Sequence, residues 1–135
     1  MPPALASAIV VVRVLIALLF IGMGIVHFIP AVTHGMAAMI PPRLRRSRVA
    51  TPLRLVWFTG ICEIAGGVGM LIPATRFAAA LALSVFLVAV FPANAYAAEH
   101  RDRFGRVAIP FWPRLIAQLA LIVLVVVVGV TSVPA

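Results

Sequence analysis

The chain has 135 residues, of which 64% are hydrophobic and 10% charged, with a mean hydropathy of +1.21. Soluble domains carry roughly 45–50% apolar and 25% charged residues, so this composition excludes a soluble catalytic domain and indicates an integral membrane protein. The net charge of +8 comes from eleven arginines and no lysine; lying between apolar runs, these read as orienting and lipid-phosphate groups, not as a nucleic-acid surface.

A first apolar run spans about 7–29 and contains Arg13. Starting the helix after Arg13 would leave too short a span, so Arg13 is expected in its first turns, snorkelling to the interface. No basic segment precedes the run, which favours a spanning helix over a cleaved leader. Pro30 is expected to close the helix. The stretch 31–50 follows; its first half is apolar but too short to cross a bilayer, so a short interfacial or re-entrant segment is expected there. Its second half carries Arg43, Arg45, Arg46 and Arg48.

The second spanning helix is expected at about 52–72, with Pro52 in its first turn and Pro73 ending it. Only a few residues then separate it from a third helix at about 75–98, which forces a tight antiparallel hairpin and gives Thr75 as a cap. Arg101, Arg103 and Arg106 follow beside Glu99 and Asp102, and a fourth helix is expected at about 111–131 with Pro113 early in it. The expected fold is an all-α membrane protein: one domain, residues 1–135, forming a four-transmembrane-helix bundle with a short interfacial segment between helices 1 and 2. Four crossings put both arginine-rich loops on one face. The positive-inside tendency assigns that face to the cytoplasm, although Arg13 pulls the other way.

A single cysteine, Cys62, excludes an intramolecular disulfide or a paired redox motif within the chain, and reads as a small packing residue. No metal site is expected, and three scattered histidines do not suggest bis-His haem; His34 and His100 read as solvated.

The acid Glu63 lies roughly 16 Å into the second helix at 1.5 Å per residue, near mid-bilayer. There a charged group costs about 2.5 kcal/mol or more. Gly60, Gly66 and Gly67 share its face, and small residues let helices approach closely in lipid, so the face is expected to turn into protein. His27, beside Gly24 on helix 1, Asn94 on helix 3 and Gln118 on helix 4 fall in the same half of the membrane. Pro92 leaves the carbonyl of Val88 without its usual donor. A polar pocket of His27, Glu63, Asn94 and Gln118 opening toward the arginine-rich loops is therefore one reading, with the faces of Asn94 and Gln118 left open. The other is that these groups only hydrogen-bond between helices, for about 0.6 kcal/mol each. Gly24, Gly60, Gly66, Gly67 and Pro92 are the expected packing positions.

Four stretches in order, GMGIVHFIP (22–30), MIPP (39–42), FTGICEIAGGVGMLIP (58–73) and VFPANAYA (90–97), resemble the DoxX family of small bacterial membrane proteins. The resemblance covers about 14–98. It implies a four-helix membrane bundle in a bacterial inner membrane and a link to respiratory or redox-stress complexes or to membrane-protein maturation, without assigning catalytic residues. On this basis the chain is expected to be a non-catalytic accessory or anchoring subunit, not a stand-alone enzyme. Its expected partners are membrane lipids, contacted by the arginine loops, and other membrane subunits or further copies of itself. No intrinsic cofactor is expected. The alternative is a redox component that uses the His27/Glu63 pocket to hold a quinone; third is a small-solute or proton transporter working as an oligomer.

Overall fold

The structure, a computed structural model, describes residues 1–131; the last four residues of the expected single domain lie outside them. It is all-helical, with no strand among the described residues. Helices α1 (Pro3–Val26), α3 (Pro52–Leu71), α4 (Arg76–Glu99) and α6 (Phe111–Val130) are each long and apolar enough to cross a membrane. Two shorter helices, α2 (Pro30–Met39) and α5 (Arg101–Phe104), lie in the connections, each followed by a short 3-10 turn.

The four long helices form a ring in which α1 packs on α3, α3 on α4, α4 on α6, and α6 closes on α1. Glycine makes the first contact close. Gly24 faces the Gly60 carbonyl, while Gly67 faces Ala17 and Ile21, so α1 and α3 run antiparallel with backbones touching. A Cβ on Gly60 would come within 2.8 Å of His27 Cβ and 2.9 Å of the Gly24 carbonyl. The same device recurs where Gly66 receives Leu83 of α4 and Gly129 of α6 receives Ala80. In lipid there is no hydrophobic drive to bring helices together, so such contacts supply the association through dispersion.

The interior is divided along its length. The half next to the α3–α4 hairpin holds an apolar core of Ile16, Ala17, Phe20, Met70, Leu83, Leu87, Val125 and neighbours, with Arg13 buried at its end. The half toward the arginine-rich loops holds the buried polar side chains His27, Thr33, Glu63 and Gln118.

Several local expectations are corrected. Pro30 does not close α1; that helix ends at Val26, and Pro30 opens α2, where its missing N–H costs nothing. The short segment expected between helices 1 and 2 is there as helix α2: Phe28, just before it, lies at Gly60, while Ala37 and Ile40 cluster with Val56 and Leu53, so α2 runs antiparallel along the first half of α3, back toward its start. Thr75 stands at the N-cap position of α4 but makes no side-chain cap. Its hydroxyl turns back to accept no helix N–H and instead donates to the Gly69 carbonyl at 3.0 Å, closing the end of α3. At the start of α3 it is Thr51 that accepts from the Arg54 N–H, at 3.4 Å.

Arg13 differs most. It is 96% buried by its 4% exposure and does not snorkel. Its Nε donates to the Val128 carbonyl at 2.9 Å and its Nη2 to the Thr131 carbonyl at 2.7 Å. These are among the terminal carbonyls of α6 that have no donor within the helix, and they lie at the negative end of its dipole. The guanidinium is therefore held by protein, and it ties α1 to α6.

Candidate functional site

Glu63 is the twelfth residue of the twenty in α3, and its side chain points into the bundle with 8% of its surface exposed. The glycines around it bring α1 so close that His27, the C-cap of α1, reaches the carboxylate: Nδ1 stands 3.0 Å from Glu63 Oε2. This is the one acid–base pair within 4 Å among the described residues.

The hydrogen-bond geometry defines the pair further. His27 Nδ1 is also 2.7 Å from the Met23 carbonyl. A carbonyl only accepts, so Nδ1 carries a hydrogen and directs it there. Glu63 Oε2 is then a close but off-line neighbour and receives no aligned donor, leaving it a buried oxygen without a hydrogen-bond partner. Nε2 is the imidazole nitrogen left to accept a proton. Position is fixed from beyond: the Thr33 hydroxyl lies 2.5 Å from the His27 carbonyl and 2.9 Å from that of Ile29, donating across the break between α1 and α2. The sequence reading missed Thr33; its signal was a threonine one turn into a helix opened by proline, where a hydroxyl serves free carbonyls.

Of the four residues expected in one pocket, the structure joins His27 and Glu63. Gln118 is buried on α6, across the ring from α3, and its amide donates to the Leu87 carbonyl of α4. That carbonyl is one residue before the one expected to be freed by Pro92. Gln118 Oε1 is buried without a partner. Asn94 is half-buried and its amide lies 3.5 Å from the Val90 carbonyl of its own helix.

Among the basic positions, Arg43, Arg46, Arg48, Arg101, Arg103 and Arg106 are exposed. Arg45 is not free for lipid or partner, because it donates to the Ile40 and Ala38 carbonyls at 2.6 and 2.5 Å and closes the end of α2. Arg103 lies over the Phe104 ring at 5.4 Å. His34 and His100 are exposed, each bonding a carbonyl of its own turn.

The fold thus defines a four-span helical membrane protein with one buried carboxylate–imidazole pair. A family model described as a domain of unknown function (DUF8561) matches residues 16–129, and the chain belongs to that family. Neither a curated protein nor a solved structure matches it.

Proposed function

We propose that this chain is an accessory or anchoring subunit of a larger membrane complex, in keeping with its DoxX-like stretches, and that the complex is respiratory or redox-linked. The observation that carries the reading is where the interior polar groups spend their bonds. Arg13 holds the end of α6, Gln118 holds α4, Thr33 holds the turn after α1, and His27 bonds its own helix. Each serves the chain's own backbone, as struts do, and the glycine seams beside them have no room for a methyl group. The outward faces of the four long helices are apolar, with Leu15, Leu18, Val85, Val88, Ile116 and Val123 more than half exposed. Such faces suit lipid or a partner's helices equally.

The subunit sits in the bacterial inner membrane, its arginine-rich loops in the cytoplasm, following the positive-inside tendency. Native mass spectrometry of the chain extracted from its own host in mild detergent tests the reading. The expected result is a heavier assembly containing a defined second subunit; a lone chain or a small homo-oligomer overturns it.

One observation favours a second reading. Glu63 Oε2 lacks an aligned donor beside a histidine that can take a proton at Nε2. A buried acid next to an imidazole is the equipment for passing protons to a reducible ligand such as a quinone. A quinone-sized mass on the isolated chain, lost in Glu63→Gln, would support it.

A further inference from the structure

On the arginine-rich side, a groove of about 510 Å³ separates the turn after α2 from the end of α4. Its walls are Pro41 and Arg43 on one side and Pro92, Tyr96, Glu99 and His100 on the other. We propose that this groove binds the headgroup of phosphatidylethanolamine, with Glu99 taking the ammonium and Arg43 the phosphate.

Three features carry this. The first is charge. Arg43 and Glu99 face one groove yet form no ion pair with each other or with another described residue. A cation and an anion held apart across a cleft are complementary to a small zwitterion, and a primary ammonium can donate to a carboxylate as a charge-assisted hydrogen bond. His100 adds a ring fixed by its Nδ1 donating to the Tyr96 carbonyl at 2.8 Å, which leaves Nε2 free. Tyr96 stacks on that ring, centroid to centroid 4.2 Å, giving the groove a rigid aromatic wall.

The second is depth. Helix α4 has 24 residues, about 36 Å at 1.5 Å per residue, whereas a hydrocarbon core is about 30 Å thick. Its last residue, Glu99, therefore reaches the headgroup layer. Tyrosine, like tryptophan, is enriched at that layer.

The third is what lies beneath. Counting back from Glu99 by alternating fours and threes gives Ala95, Pro92, Val88, Val85 and Leu81, one stripe of α4. Leu81, Val85 and Val88 are 58–63% exposed, and Pro92 is exposed as well. The stripe runs directly out of the groove into the hydrocarbon. A lipid whose headgroup occupies the groove lays its acyl chains along it.

The proposal does not depend on the accessory-subunit reading. Its test is native mass spectrometry of the full chain with equimolar phosphatidylethanolamine, phosphatidylglycerol and phosphatidylcholine of matched acyl chains. The expected result is one preferentially retained phosphatidylethanolamine. Glu99→Gln should lower its retention by about tenfold, the loss of one charge-assisted hydrogen bond, without lowering that of phosphatidylglycerol. Arg43→Gln should lower retention of both, and Arg106→Gln, outside the groove, of neither. Equal or better retention of phosphatidylglycerol would make the groove a general anion site and overturn the proposal. So would equal retention of phosphatidylcholine, whose methylated nitrogen cannot donate. A Glu99→Gln chain that keeps the preference would overturn it too, and since Glu99 is exposed at a helix end this variant is expected to fold.

Discussion

Glu63 and His27 meet because two glycines let them. With any side chain at Gly24 or Gly60 the α1 and α3 backbones would stand apart and the 3.0 Å separation of imidazole and carboxylate would open. Glutamine at position 63 keeps the volume and an acceptor oxygen. Glu63→Gln is therefore expected to insert and fold with unchanged thermal stability in detergent; if the proton-passing reading holds, it fails to complement a deletion strain. Glu63→Leu puts a branched Cγ into the same crowded seam and should cost about 1–3 kcal/mol by overpacking, read as a lower melting temperature. Full complementation by Glu63→Gln would reduce the acid to a strut. That Glu63 faces inward was legible in the sequence, since a charge in lipid is expensive and its neighbours are small. That His27 directs its Nδ1 hydrogen to Met23, leaving Oε2 without a donor, was not; it depends on ring orientation at a helix end, which no residue pattern encodes.

At the scale of single helices, the seam between α1 and α3 discriminates sharply between glycines. A Cβ on Gly60 would strike backbone and His27, whereas one on Gly22 would meet nothing within 4 Å. Gly60→Ala should accordingly destabilise the bundle by about 1–3 kcal/mol, while Gly22→Ala should be neutral or slightly stabilising through helix propensity alone. Unfolding of both variants in a graded denaturing detergent checks this, and equal behaviour would mean that α1 and α3 do not touch as described. The long helices were readable to within a few residues because a run of about 20 apolar residues has few other uses. The short α2 was harder to place. Its apolar residues read as interfacial or re-entrant from sequence; the contact with Val56 and Leu53 of α3 that holds them is long-range and leaves no local pattern. Likewise Thr75 and Arg45 close the ends of the helices before them, a choice set by the path of the turn and not by residue type.

For the molecule as a whole, the arginines are distributed by end. The loop positions Arg43, Arg46, Arg48, Arg101, Arg103 and Arg106 gather at one end of the bundle, and Arg13 and Arg76 at the other. The loop charge outweighs the other side, so a cysteine placed in the loop should be cytoplasmic. In a Cys62→Ala background, Ser47→Cys is expected to react with a membrane-impermeant maleimide in inverted vesicles and not in intact spheroplasts. The reverse pattern would invert the topology without altering the fold. Composition marked a membrane protein and the spacing of the apolar runs its four spans; the order of helices around the ring required the contacts that glycines and Arg13 make.

Arg13 and its two acceptors are separated by 115 and 118 positions in the chain. A ribosome delivers α1 to the membrane long before α6 exists, so for most of synthesis this guanidinium stands without the carbonyls that will receive it. During that interval the charge must be sheltered by water, lipid phosphate or the insertion machinery, and only the arrival of the last helix releases it into the bundle. The bond therefore forms only when the fourth span is in place. A chain truncated before Val128 carries an unsatisfied arginine in its first span.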